Sequence, residues 1–264
     1  MLSFVKGNMD LIEDLYNELG TVEFYLDIAM YRASIDSFAE PQFAGELSLK
    51  NAYHPLINDP VKNSINVNRG VLLTGSNASG KSTFLKTVAI NILFAQTIYT
   101  VLCDSYSGEL YSLFSSMSLR DNLEGDSYFM VEIKAIKRIL DFASANSDKK
   151  IVCFVDEVLR GTNTVERISA STEILRHFAD LGVLCFAATH DGELTFLLED
   201  RFDNYHFEEE ILDNDVLFNY KLNSGRATGR NAIKLLSVMG FEETIVDNAS
   251  KRAEAFLEKG LWEA

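Results

Sequence analysis

The stretch Gly70–Thr83, GVLLTGSNASGKST, decides the fold. A short apolar run suited to a buried strand leads directly into G-x-x-x-x-G-K-[ST], which spans Gly75 to Ser82, and a helical pattern follows over Lys81–Thr100. Strand, glycine-framed turn and helix start, in that order, make a phosphate cradle. The backbone N–H groups of Gly75, Asn77, Ala78, Ser79 and Gly80 surround the phosphate oxygens at a helix N-terminus, where the peptide dipoles favour negative charge. Lys81 then reaches the β- and γ-oxygens and Ser82 holds Mg²⁺. The competing reading is a glycine-rich structural turn, which has no need of the Lys-Ser pair.

Two further apolar runs end in chemistry. IVCFVDE, Ile151–Glu157, places Asp156 and Glu157 at the C-terminal end of a strand that reads as buried on both faces. Ligands of open α/β sheets sit at that end. Asp156 can support Mg²⁺ through its water shell, and Glu157 can accept a proton from an attacking water or orient it. VLCFAATH, Val183–His190, repeats the pattern and brings His190 to the same sheet end, where an imidazole can sense a γ-phosphate. Plain structural roles, solvent-facing carboxylates and a satisfied histidine, remain the alternatives for these residues. His177 and His206 have no such context and read as structural. An Asp-Glu pair is common in ATPases that assemble across a dimer, and the sequence has no N-K-x-D to specify guanine.

The rest of the chain reads as alternating strands and helices, hence as an α/β protein with a mostly parallel sheet and helices on both faces. Helical periods run over Asp10–Ser34, Ser127–Ser144, Val165–Ala179, Asn231–Met239 and Glu242–Leu257. A hairpin is expected over Ile211–Leu222, turning at Asp213-Asn214, and loops with short strands over Ala39–Ile57. The 264 residues are 47% hydrophobic, enough for a sizeable core, and carry a formal charge of −15. That charge excludes a whole-surface nucleic-acid binder, so any DNA contact falls to a local patch or to regions outside this chain. Cys103, Cys153 and Cys185 lie in apolar surroundings without metal-ligand spacing, which suits reduced core thiols and a cytoplasmic location. The N-terminus has no signal-peptide pattern. The apolar stretch Val88–Leu102 is interrupted by Asn91 and Gln96, so it reads as a buried helix and not a membrane segment.

GSNASGKST, DSYFMVE, DEVLRGTNT and AATHDGEL, in this order and spacing, resemble the motifs GPNMGGKST, STFMVE, DEIGRGTST and ATHYFEL of the MutS family, whose ATPase domain is an ABC-like motor. The resemblance runs from about Leu15 to Leu257. It implies an ABC-like P-loop NTPase fold, with a helical lead-in over 1–50 and the ATPase domain over 51–264. It implies that Asn77 contacts the γ-phosphate or the water, and that Lys81, Ser82 and Thr83 are phosphate and Mg²⁺ ligands. Asp156 and Glu157 fall on the metal-supporting and catalytic carboxylates, and His190 on the switch histidine. Thr162, Asn163 and Thr164 fall on a loop that crosses to a partner subunit. Tyr220 is placed against adenine, with Pro60 or Val61 on the other face; a surface aromatic of the hairpin is the alternative. His54-Pro55 matches a structural turn. Ser127, within RDNLEGDSYFMVE (Arg120–Glu132), would cap the partner's γ-phosphate in trans; a plain helix N-cap serine is the alternative. Ser76 for Pro, Ala78-Ser79 for Met-Gly, Leu159 for Gly and Asp126 for a basic residue depart from the family forms. The expected function is ATP hydrolysis with Mg²⁺ in a head-to-tail homodimer, coupled to DNA handling in mismatch repair. Recombination intermediates are the alternative client, and a nucleotide-gated dimerisation module with little turnover is the alternative activity.

Overall fold

Strand β3 (Gly70–Thr74) is buried along its whole length, and the other elements are ordered around it. In the computed structural model, which describes residues 7–76, 78–117, 128–159, 162–212, 215–227 and 232–260, it lies between β7 (Leu184–Ala188) and β8 (Phe202–Leu212). The six-stranded sheet has the order β5-β6-β7-β3-β8-β9, with β5 at Ser112–Ser116, β6 at Ile151–Asp156 and β9 at Asp215–Ser224. All neighbours are parallel except β8 and β9, which form an antiparallel edge ribbon. The α/β expectation with a mostly parallel sheet holds.

Alternation along the strands sends side chains to two cores. Val71, Leu73, Val152, Phe154, Phe186 and Ala188 face α2 (Lys81–Ile98), while Leu72, Cys153, Val155, Cys185 and Ala187 face α3 (Tyr128–Ala145) and α4 (Thr164–Asp180). Burial on both sides is why these strands read as continuous apolar runs. Helix α2 is covered on its far side by a second, antiparallel sheet of order β2-β1-β4, formed by β1 (Leu47–Ala52), β2 (Asn63–Val67) and β4 (Ser105–Ser107). Residue 50, the expected limit of the lead-in, falls inside β1. The polar interruptions of the apolar stretch have partners in the loops. Asn91 Oδ1 accepts from the backbone N–H of Leu102 at 2.6 Å, and Gln96 Oε1 accepts from that of Tyr111 at 2.6 Å. Among the described residues no helix is long and apolar enough to cross a membrane.

Helix α1 (Met9–Ser34) has no buried residue. It meets the body at its C-terminal turn, where Arg32 donates to Thr100 Oγ1 at 2.8 Å and to the Tyr99 carbonyl at 2.6 Å. The remaining helices are a single turn, α5 (Leu194–Leu197), and the closing pair α6 (Ala232–Val238) and α7 (Glu243–Lys259). All three cysteines are free and buried, and burial pushes the Cys103 thiol up to about 12. The expected hairpin turn at Asp213-Asn214 lies outside the described residues.

Candidate nucleotide site

The loop between β3 and α2 needs both of its framing glycines. Gly75 has φ 141°, and a Cβ there would stand 2.8 Å from the Phe207 carbonyl and 2.9 Å from Ser79 Oγ. Gly80 has φ 110°, and its missing side chain leaves room for the Tyr220 ring, whose nearest atom would lie 3.3 Å from a Cβ. Because Gly80 is left-handed and offers no side chain, α2 begins without a side-chain cap. The N–H groups of its first turn therefore have no acceptor within the helix. The Ser79 hydroxyl, buried beneath the loop, has no hydrogen-bond partner among the described residues. A helix N-terminus without a side-chain cap, beside a buried hydroxyl of this kind, suits an anionic group. Ser76, the departure from Pro, uses its hydroxyl: Oγ donates to Glu209 Oε2 on β8 at 2.8 Å.

Lys81 is buried, with Nζ donating to the Gly75 and Ser76 carbonyls, each at 2.8 Å. His190 Nε2 lies 2.9 Å from Glu157 Oε1 and 3.4 Å from Lys81 Nζ. One ring nitrogen cannot serve both as donor and acceptor. The shorter contact assigns its proton toward Glu157, which leaves Lys81 as a charged neighbour. Glu157 follows the last residue of β6 with φ 62°, and its N–H donates to the Ala188 carbonyl at 2.9 Å. That turn swings the carboxylate across to the end of β7, where His190 stands. Asp156, Glu157 and His190 thus share the C-terminal edge of adjacent strands with the phosphate loop, as the sequence reading expects.

These residues open on one cavity of about 670 Å³, also lined by Ala78, Ser79, Gly80, Ser82 and Thr83. Pro60, Val61 and Tyr220 line it as well. Tyr220 comes from an irregularity in the edge ribbon. Phe207 pairs with Leu222 but Glu209 pairs with Phe218, so β9 has three residues where β8 has one. The Asn63 side chain clasps this bulge, donating from Nδ2 to the Tyr220 carbonyl at 2.9 Å and accepting at Oδ1 from the Leu222 N–H at 2.9 Å. His54 lines the cavity too. Its Nδ1 accepts from the Leu56 N–H at 3.2 Å, so it closes the turn before Pro55's successor, and burial followed by the charge of Lys86 lowers its pKa. His206 is enclosed, bonded to the Gly225 carbonyl and Glu208, away from the cavity lining.

Ser82 and Asp156 both line the cavity and offer a hydroxyl and a carboxylate. Among the described residues no group of three or more His, Cys, Asp or Glu is placed to hold a metal by itself. Two hard oxygen donors, completed by phosphate oxygens and water, are the set Mg²⁺ takes, so these residues fit that ion. Asn77 and Ser127 lie outside the described residues. Thr162, Asn163 and Thr164 stand at the start of α4, where Asn163 Oδ1 accepts from the Val165 N–H at 2.9 Å.

Several contributors escape a reading by motif. Asn63 and Glu209 are polar residues in strands with no chemical spacing to mark them. Glu132, the end of the quoted YFMVE, is buried and accepts from the Leu159 N–H at 2.5 Å, so it anchors the loop that follows Glu157. Arg167 and Asp191 form a two-point ion pair beside His190. Asp191 stands where the family form ATHYFEL has Tyr, so the motif gave no pointer to it.

The family model described as MutS domain V matches residues 71–257. The chain is 28% identical over 270 residues to the human MutS protein homolog 4, covering 95% of this chain and 28% of that protein. It is 28% identical over 267 residues to the DNA mismatch repair protein MutS of Fusobacterium nucleatum, at 95% and 29% coverage. Against the DNA mismatch repair protein MSH3 of Debaryomyces hansenii it is 28% identical over 273 residues, at 93% and 26%. The chain therefore spans less than a third of the length of each of these relatives. With a family match over most of its length and a glycine-framed loop, strand-end carboxylates and histidine around one cavity, the chain belongs to the MutS family.

Proposed function

We propose that this chain is an ABC-like P-loop motor that binds ATP with Mg²⁺ and hydrolyses it in a head-to-tail homodimer. The observation that carries the reading is the direct contact of His190 with Glu157 and its approach to Lys81, in the lining of a cavity that the first turn of α2 also lines. The phosphates lie against the α2 N-terminus and the loop N–H groups of Ala78, Ser79 and Gly80. Lys81 turns its ammonium from the Gly75 and Ser76 carbonyls to the β- and γ-oxygens. Glu157 accepts the proton of the attacking water, and His190 holds that carboxylate and meets the γ-phosphate. Mg²⁺, held by Ser82 and Asp156, supplies neutralisation of charge on the β- and γ-phosphate oxygens. Adenine lies between Tyr220 and Val61. Asn77 completes the phosphate contacts, and Ser127 of one subunit together with the Thr162–Thr164 turn serves the other subunit's site.

A fluorescent ATP analogue, light scattering and phosphate release test this directly. Lys81→Ala abolishes binding of the analogue, whereas Glu157→Gln retains binding, loses turnover and accumulates an ATP-dependent dimer. Wild-type protein that dimerises with ATP but releases no phosphate above background would overturn the motor and leave a nucleotide-gated assembly module. Mismatched DNA is the client that the names of the Fusobacterium and Debaryomyces relatives support. The human relative's name specifies no repair substrate, which keeps recombination intermediates as the second reading. Binding of the full-length protein to mismatched, matched and branched duplexes separates the two. Three buried free thiols support a reducing, cytoplasmic setting.

A further inference from the structure

The His190 side chain is 36% exposed, so packing alone does not fix its ring. Both residues that flank it are tied to other elements. On one side the Thr189 N–H donates to the Leu73 carbonyl at 2.9 Å, which ties the chain to β3. On the other side Asp191 is gripped by Arg167 of α4. Arg167 Nε donates to Asp191 Oδ2 at 2.8 Å and Nη2 donates to Asp191 Oδ1 at 2.6 Å. The pair is largely shielded, with side chains 23% and 13% exposed, whereas Arg176–Asp200 and Arg201–Asp180 lie open to solvent. A parallel two-point bond fixes orientation as well as distance. The Arg167 pKa is raised, first by the Asp191 hydrogen bonds and further by the charges of Asp191, Glu157 and Glu193. The guanidinium therefore also offsets three carboxylates around His190.

Arg167 sits in the first turn of α4, its N–H donating to the Asn163 carbonyl at 2.8 Å. Thr162 and Asn163 lie just ahead of that turn, Asn163 as the N-cap, and Thr162 Oγ1 donates to Glu166 Oε2 at 3.1 Å. We propose that Arg167 and Asp191 are positioning residues for His190: their ion pair locks the His190 loop to the first turn of α4, so that the Thr162–Thr164 turn and the imidazole keep one relative placement. A displacement of that turn then moves His190 relative to Glu157.

The kinetic part rests on the proposed ATPase reading; a second measurement does not. Misplacing a catalytic group by about 1 Å can cost on the order of 100-fold, so Arg167→Met and Asp191→Asn are expected to lower kcat about tenfold or more with KM for ATP changed less than about twofold. Arg167→Lys, which keeps the charge but not the two-point geometry, falls between. The exchanged pair, Arg167→Asp with Asp191→Arg, recovers most of the loss, a rescue that a merely space-filling role would not give. Amide hydrogen exchange of segment 188–194 in nucleotide-free protein accelerates in Arg167→Met and returns in the exchanged pair. Unchanged kcat in the folded single variants, a rise in KM alone, or an exchanged pair no better than the singles overturns the proposal. If wild-type protein shows no turnover, the ATPase reading fails separately and amide exchange decides: acceleration in Arg167→Met sustains the tether, and unchanged exchange overturns it.

Discussion

Leu159 occupies a left-handed conformation, φ 58°, three residues beyond the end of β6, where the family form has Gly. Its side chain is only 5% exposed and packs into the core beneath α3 and α4. The residue therefore combines a backbone cost of roughly 1–2 kcal/mol with a burial gain of about 1.5–3 kcal/mol. The departure from Gly is absorbed by a pocket, and Glu132 holds the Leu159 N–H in that geometry. Truncation should reveal the two contributions in an unusual order. Leu159→Ala loses the burial and keeps the strain, whereas Leu159→Gly loses the burial and releases it. Urea unfolding should find both variants destabilised, Leu159→Ala more so by about 1 kcal/mol. A Leu159→Ala variant as stable as Leu159→Gly would rule out the left-handed conformation. Glu157, at φ 62° two residues earlier, is held by the same loop with the same kind of backbone.

The edge ribbon makes the case at the level of elements. β8 pairs with β3 from Phe202 to His206, then continues to Leu212 with β9 as its partner. The bulge at Tyr220 falls just where β8 leaves the sheet, beside the phosphate loop. Asn63 fixes that bulge from β2, so the small antiparallel sheet positions the residue expected to meet the base. Stacking of a base on an aromatic ring is worth about 1–3 kcal/mol, so Tyr220→Ala should weaken the fluorescent ATP analogue roughly 5- to 150-fold, and Tyr220→Phe within about twofold. Asn63→Ala should weaken it by about threefold to tenfold, since each lost hydrogen bond contributes about 1 kcal/mol to holding the bulge. Unchanged affinity in Tyr220→Ala would remove the base contact, and in Asn63→Ala alone would remove the anchor. The sequence made the buried elements legible: β3, β6 and β7 stand out as apolar runs, and α2 and α4 by their helical periods and the motifs at their starts. Of the outer elements, Ser64–Val67 also reads as a strand and matches β2, but others were not legible. β4 and β5, SYS and SLFSS, are short and serine-rich with no apolar run. Residues 202–210 of β8 escaped because FDNYHFEEE contains no continuous apolar run. Likewise the strand-end carboxylates, His190 and the phosphate loop were readable from spacing, whereas Asn63, Glu209 and the Arg167–Asp191 pair depend on which distant elements become neighbours.

For the molecule as a whole, charge decides what the chain can do alone. Asp and Glu number 39 against 24 Lys and Arg. Five arginines are paired with carboxylates: Arg69 with Asp203, Arg167 with Asp191, Arg176 with Asp200, Arg201 with Asp180 and Arg226 with Glu199. Lys81 is turned inward. Helix α1, at about 1.5 Å per residue roughly 39 Å long, carries Asp10, Glu13, Asp14, Glu18, Glu23 and Asp27 against Arg32. A duplex presents a dense line of phosphates, and binding needs uncompensated cations to displace its counterions. In the proposed dimer a second copy would bring a body of the same sign, with the same shortage of cations. Fluorescence anisotropy with a labelled duplex of about 30 base pairs should therefore show no saturable binding up to about 10 μM chain at about 0.15 M salt, where screening reduces the range of repulsion to about 8 Å. ATP with Mg²⁺ should leave that result unchanged. Saturable micromolar binding that weakens steeply with added salt would instead require a basic face on this chain.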